Sequence, residues 1–345
     1  MDVMRNRIRP ILDSLRQWRC RFSEELTEVE IRPGDYHFSE KLDADQLKDG
    51  WMPFGACETW GGRDRHFWFR TKVVIRKEWA GKEVRVTLNT GADDIWNTDN
   101  PQIMAYKNGI LSGTMDMNHQ DLILAEEAEE AEVFELVFYA YSNSENPTNF
   151  FHLKAAVYDR EIADLYYDLK VPFEAAELCS EEDLDRIEAM KFLNTAISGL
   201  DLRKPGSEEF YQSVREVREY VKKNLPDICR SSRVTVHSIG HTHIDVAWKW
   251  PLRQTRQKAV RSFQTVLNLM EQYPEYKFMS SQPQLYEFVK EEAPELFEKI
   301  KEKIHEGRWE AEGGMWLEPD CNLINGESMV RQLLYPPYSL RKTFF

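Results

Sequence analysis

The apolar residues of this chain change their spacing three times, and each change predicts a different kind of element. Val3, Met4, Ile8, Ile11, Leu12, Leu15 and Trp18 recur at helical spacing, which predicts an amphipathic helix over 3–18 with Pro10 as a point of kinking. Its apolar face suits packing on a neighbouring unit better than lying on a membrane. From about residue 50 the period becomes two. "WFRTKVVIR" sets Phe69, Thr71, Val73 and Ile75 on one face, and "EVRVTLNT" sets Val84, Val86 and Leu88 inward against Glu83, Arg85 and Thr87. "IMAYKNGIL" carries Asn108-Gly109, a strong hairpin signal, and "VFELVFYAY" and "HLKAAVY" supply further strands. Many short strands joined by turns predict an antiparallel sandwich.

Helical spacing returns over 160–226. Ile187, Met190, Leu193 and Ile197 form one stripe and Tyr211, Val214, Val217 and Val221 another, with Ser207 in "RKPGSEEF" at a helix start. "LPDICRSS" closes this layer. Strand and helix then alternate: "RVTVHSIG", a helix marked by Val260, Phe263, Leu267 and Met270, the short strand "YKFMSS", a helical stretch from "PQLYEF" to "KIHEG", and the strand "RWEAEGGMW". Alternation of this kind predicts parallel βα units. The fold class is therefore multidomain α+β and α/β. An N-terminal helical segment (1–30) precedes an antiparallel β-sandwich (31–160) and a helical linker layer (161–230), and the first part of a parallel α/β domain follows (231–345).

With 345 residues, 42% of them hydrophobic, the chain can bury a sizeable core. Its net charge of −14, with no basic block, repels phosphate backbones and excludes nucleic acid as a natural partner. Cys20, Cys57, Cys179, Cys229 and Cys321 are dispersed and odd in number, unlike a disulfide framework or a zinc ribbon. Neither a secretory h-region nor a membrane-spanning run is visible, so the expected setting is cytoplasmic. The acidic run "AEEAEEAE" reads as a solvated loop before an interaction patch, and Trp51, Trp60 and Trp68 read as core before sugar platforms.

Candidate chemistry gathers where parallel strands end, the usual place for ligands in such sheets. In "IGHTHIDVAWKWP", His243 and Asp245 are two residues apart, so an extended backbone turns imidazole and carboxylate to the same side. A nitrogen and an oxygen donor together suit zinc or a similar divalent ion. An isolated His-x-Asp pair reads first as a histidine oriented by a carboxylate to finish a strand. A second histidine, His241, the flanking Trp248 and Trp250, and Asp320 after the glycine pair of "EGGMWLEPDCN" move the reading toward a metal.

Those two stretches, "GHTHIDVAW" and "EGGMWLEPDCNL-x-x-GES", resemble glycoside hydrolase family 38, the retaining α-mannosidases. The β-rich segment with "DMNH" resembles the cytosolic and bacterial branch. The resemblance runs from about residue 50 onward and implies a barrel-like catalytic domain that hydrolyses terminal α-mannosyl residues of oligosaccharides by metal-assisted double displacement. It implies His243, Asp245 and Asp320 as ligands of one divalent ion, zinc first and cobalt as the alternative. It further implies Asp320 as the nucleophile, Trp248 in the sugar subsite, and His241 as a support behind the ligands. Glu318 has the spacing of an acid/base, yet the family places that role, and a fourth ligand, well downstream of the nucleophile. The resemblance therefore implies a chain that is inactive alone and needs a C-terminal part or a partner chain, with homo-oligomerisation left open. Two other readings stand beside it. His241-x-His243 also suits a metal-dependent amidohydrolase, and the sandwich also suits a non-enzymatic carbohydrate-binding or interaction module.

Overall fold

The computed structural model describes residues 3–35, 41–42, 47–94, 99–228 and 235–344. Helix α1 (Val3–Trp18) runs unbroken through Pro10 and buries Ile8, Leu12 and Leu15. These side chains enter a helical core with α2 (Arg160–Leu178), α3 (Leu184–Ser198) and α4 (Glu208–Ile228), where Met190, Leu193, Ile197, Val214, Val217 and Val221 form the predicted stripes. Asp159 caps α2 by accepting from the Ile162 amide, and Ser207 accepts from the Phe210 amide at the start of α4.

Between α1 and α2 lie ten strands: β1 (Cys20–Leu26), β2 (Glu30–Gly34), β3 (Met52–Pro53), β4 (Arg65–Val74), β5 (Val84–Asn89), β6 (Gln102–Lys107), β7 (Ile110–Met115), β8 (Asp121–Ala125), β9 (Val133–Ser142) and β10 (His152–Tyr158). They form two antiparallel sheets, a four-stranded one in the order β1-β10-β5-β8 and a six-stranded one in the order β3-β2-β4-β9-β6-β7. The two sheets share one core, into which Phe69, Val73 and Phe138 point from one side and Val84, Val86, Leu88 and Leu153 from the other. Cys20–Leu26 was expected inside the helical segment. Instead α1 ends at Trp18, and β1 pairs with β10 through a register shift between Arg21 and Glu24, beside Phe22 at φ 50. Polar residues dominate β1, so its period is hidden.

Asn108 (φ 52) and Gly109 (φ 80) turn β6 into β7 with both backbones left-handed, the conformation that a two-residue hairpin demands. The acidic stretch lies in the turn between β8 and β9. Glu83, expected outward, is buried instead, in ion pairs with Arg85 and Arg160. Trp60 and Trp68 are buried, and the half-buried Trp51 donates its indole N–H to the Leu47 carbonyl.

The outer face of the six-stranded sheet is also covered. Trp68, Met104, Tyr106, Leu111 and Tyr139 pack with α5 (Leu252–Gln272), whose Ala259, Val260, Phe263 and Leu267 are buried there. Beside this joint, His66 stacks on Tyr139 at 5.6 Å, and its Nδ1 shares a hydrogen bond with the Tyr139 hydroxyl at 2.6 Å. Burial, and then the charge of Arg261, push the imidazole down from 6.5 to about 4. Folded His66 thus stays neutral while the unfolded chain takes a proton, so stability is complete above pH 6.5 and is lost as pH falls toward 4. Allowing for partial solvent screening, His66→Phe should remove about 1 kcal/mol of the acid sensitivity. Urea midpoints of the two proteins at pH 7 and pH 5 measure it, and parallel shifts would contradict it.

The last unit is a three-stranded parallel sheet, β11 (Gly240–His241), β12 (Phe278–Ser280) and β13 (Trp309–Ala311) in that order. Helices α6 (Pro283–Glu292) and α7 (Pro294–His305) connect β12 to β13, and α8 (Gly326–Phe344) follows. The strands are shorter than the sequence predicts. Residues 235–239 carry no ladder and 233–234 lie outside the described residues. Gly240 is required where it stands, because a Cβ there would overlap the Tyr276 hydroxyl. A glycine therefore fixes how closely α5 and the loop after it approach β11. Cys20, Cys57, Cys179 and Cys321 are free thiols, and Cys229 lies outside the described residues. Among the described residues no helix is long and apolar enough to cross a membrane.

Candidate active site

Beyond β11 the backbone keeps enough alternation to turn Ile244 into the core while His243 and Asp245 face outward. His243 Nε2 lies 3.4 Å from Asp245 Oδ1. On its other side, Nδ1 lies 3.6 Å from Glu318 Oε2 in the loop after β13. The imidazole is thus held between two carboxylates that come from different βα units.

Buried side chains set these loops. Thr255, fully buried in the first turn of α5, accepts from the Ala247 amide at 3.0 Å and the Trp250 indole at 3.1 Å, and donates to the Asp245 carbonyl at 3.3 Å. It fastens the turn at Ala247, whose φ is 62. Gln282, buried and left-handed at φ 65, donates to the Ile244 carbonyl at 3.0 Å and accepts from the Glu318 amide at 3.4 Å. One side chain therefore ties both loops together. Gln284 reinforces the second loop by accepting from the Trp316 indole at 2.9 Å.

The remaining predicted residues are placed as follows. Asp320 is exposed; its Oδ1 accepts from the Asn322 amide at 2.9 Å, and its carbonyl accepts from Leu323 and Ile324. That carboxylate caps a turn rather than joining His243. Trp248 is 57% exposed and stands edge-on to Trp250 at 5.6 Å, with the Lys249 ammonium 4.9 Å from its ring centroid. His241, also exposed, closes β11 and lines the same cavity as His243. Among the described residues no three His, Cys, Asp or Glu side chains converge as a metal shell. His243 and Asp245 offer a nitrogen and an oxygen, half of the four donors that a tetrahedral ion needs. The residues present therefore do not fit a divalent ion by themselves.

Glu318, noted in the sequence for its spacing of two before Asp320, stands beside His243, whereas Gln282 and Thr255, which tie the loops, were not marked in advance. The two neutral polar side chains give no signal until the chain is folded.

A cavity of about 380 Å³ runs from His241 and His243 back between α5 and the end of β7. On its far wall is the "DMNH" turn. Asp116 Oδ1 accepts from the amides of Asn118 and His119 and lies 3.1 Å from His119 Nδ1. Burial alone would raise the Asp116 carboxyl, but the bonds and charge of His119 outweigh it and leave it lowered. The same bond raises His119 against the opposing effect of burial.

Residues 233–344 match the glycosyl hydrolases family 38 N-terminal domain. Alpha-mannosidase G of Dictyostelium discoideum is 29% identical over 338 residues, covering 93% of this chain and 30% of its own length. Alpha-mannosidase 2C1 of Mus musculus is 29% identical over 285 residues, covering 77% and 26%. An alpha-mannosidase of Saccharomyces cerevisiae is 29% identical over 292 residues, covering 78% and 26%. The chain thus spans less than a third of the length of these relatives. Relatives of one kind across most of the chain, and the domain match over both strand-end loops, agree with the mannosidase resemblance. The chain is thus similar to alpha-mannosidases along most of its length, and its residues 233–344 are similar to the family 38 N-terminal domain.

Proposed function

We propose that the loops after β11 and β13 form part of the centre of a retaining α-mannosidase acting on terminal α-mannosyl residues of oligosaccharides. The observation that carries this reading is the convergence of His243, Asp245 and Glu318 at the carboxyl ends of parallel strands. In this proposal the three-stranded unit opens a barrel-like α/β domain from 231 onward, after the helical segment, sandwich and linker layer. Asp320 is the nucleophile, Trp248 offers its ring face to the sugar, and His241 supports the loop. Retention needs a carboxylate to attack the anomeric carbon and an acid/base carboxyl about 5 Å away to protonate the leaving oxygen and then deprotonate water.

His243, Asp245 and Asp320 would contribute to holding a divalent ion, zinc or cobalt, once further donors complete the shell, and that ion would supply Lewis-acid stabilisation. Because the first two supply only half a shell and Asp320 is turned away, further donors and the acid/base must come from other residues. The 345 residues alone should therefore bind zinc weakly and hydrolyse an aryl α-mannoside negligibly. His243→Ala should weaken zinc binding at least ~tenfold in equilibrium dialysis, the loss of one ligand bond. Zinc binding unaltered by His243→Ala, Asp245→Asn and Asp320→Ala would overturn the ligand assignment. Full turnover by the unaltered chain would overturn the half-site.

A further inference from the structure

A second cleft, of about 570 Å³, is walled by Arg63, Asp64 and Asn143 of the sandwich and by Trp248, Lys249 and Arg253 of the α/β unit. Its size falls within the range of about 300–1,000 Å³ usual for small-ligand sites. Trp250 lines this cleft and also the cavity of His241 and His243, so the two adjoin. The sandwich wall is held in one shape. Asp64 is left-handed at φ 53 in the turn before β4, and three groups fix it there. Its amide donates to Asn143 Oδ1 at 3.2 Å, the Tyr141 hydroxyl donates to its Oδ1 at 3.3 Å, and its carboxylate pairs with the Arg253 guanidinium. Asn143 is fixed in turn by donating to Asp99 Oδ1 at 3.1 Å. On the α/β side, Trp250 is oriented by its indole bond to Thr255, and Trp248 stands edge-on to it. Arg63, exposed in the same turn as Asp64, makes no hydrogen bond or ion pair among the described residues.

We propose that this cleft binds the second sugar of the oligosaccharide, the unit that carries the terminal mannose. The inference rests on the mannosidase reading and extends it, because the sandwich then takes part in recognising the substrate. A sugar ring has apolar C–H faces and hydroxyls around its rim, so its site needs an apolar wall with donors and acceptors at the edge. The two indoles supply the wall. Asp64 supplies an acceptor, and Arg63 and Arg253 supply donors whose bonds to hydroxyls are charge-assisted. The Lys249 ammonium, 4.9 Å from the Trp248 centroid, adds a donor at the rim. Hydroxyls can join the Asp64–Arg253 pair without breaking it, since a carboxylate and a guanidinium each have more bonding sites than the pair uses. The turn is already set by Asn143 and Tyr141, so binding orders few side chains. Arg63 is the side chain left for the ligand to engage.

The test is ligand-observed NMR titration of the whole chain with methyl α-mannoside and with a linear α-linked mannotriose. The trisaccharide should bind at least ~fivefold tighter, the worth of about one added hydrogen bond. Arg63→Ala should bring it down to the level of methyl α-mannoside, whose own affinity should not change, and Arg63→Lys should restore part of the difference. A variant that merely disturbed the fold would weaken both sugars, and an unchanged Tm shows that Arg63→Ala folds. Lys77→Ala, removing an exposed cation beyond the other end of β4, should leave the preference intact. Equal affinities for the two sugars, or a preference that survives Arg63→Ala, overturns the proposal. Maltotriose bound as tightly as mannotriose also overturns it, because stacking without recognition would then suffice. None of these outcomes touches the mannosidase reading, which fails separately if zinc binding is indifferent to His243, Asp245 and Asp320.

Discussion

Phe263→Ala should destabilise the chain by about 3–5 kcal/mol, the usual cost of emptying a fully buried aromatic site. Phe263 is completely buried at the middle of α5. Its ring meets Trp309 at 5.1 Å and 88°, Tyr286 at 5.3 Å, and Phe278 at 6.4 Å. Those three residues come from β13, α6 and β12, so one side chain closes every gap between the helix and the sheet behind it. The surrounding aromatics cannot collapse into the void. Trp309 donates to the Tyr286 hydroxyl at 2.9 Å, which itself donates to the Ser280 carbonyl at 3.0 Å, and this chain fixes both rings. Strands of two or three residues contribute few ladder bonds, so packing rather than pairing keeps the sheet in register. The loops bearing His243 and Glu318 extend from those strands. Urea unfolding followed by tryptophan fluorescence measures the loss, and a change below about 1 kcal/mol would show that the sheet stands without its aromatic centre.

That dependence explains which parts of the molecule were legible in advance. Helices α1, α3, α4 and α5 announced themselves because each repeats an apolar stripe over three turns or more, although α5 buries polar residues on its other side as well. Asn108-Gly109 did so because few residue pairs tolerate two left-handed positions. His243 and Asp245 were legible as neighbours because alternation survives past the end of β11. The strands themselves were not. "RVTVHSIG" has the β-branched alternation of a long strand, yet among its described residues Gly240 alone, with the following His241, finds a ladder partner, on β12. Partnership depends on residues far along the chain, and local composition carries no trace of it. The same holds for Gln282 and Thr255. An amide or hydroxyl reveals its role only when the two loops it joins are beside it. Asp320 is the sharpest case, since its residue type suits a ligand while its carboxylate is spent on the Asn322 amide.

Trp68→Ala should cost about 3–5 kcal/mol as well, and should loosen two units at once. In β4, β6 and β9 successive residues point to opposite faces, and both faces are buried. Phe69, Ile103 and Phe138 enter the sandwich core, while Trp68, Met104 and Tyr139 pack under α5. Trp68 is 5% exposed and lies 4.9 Å from the Tyr139 ring and 6.2 Å from Tyr106. Polar ties also cross this joint: the Thr114–Thr265 hydroxyl pair, Asn268 donating to the Ser112 carbonyl at 3.2 Å, Arg261 and Gln254 donating to Gln102, and the Arg253–Asp64 ion pair. Apolar burial adds the packing term that Trp68→Ala removes. Removing the indole should raise amide exchange both in β6 and β9 and in α5, with a single unfolding transition at lower denaturant. If exchange rises in the strands alone, the sandwich and the α/β unit fold independently. The sheet would then be no more than a platform on which the loops bearing His243 and Glu318 rest. If both rise together, the outer face of the sheet is part of the core that positions His243, and the sandwich belongs to the architecture of the candidate site.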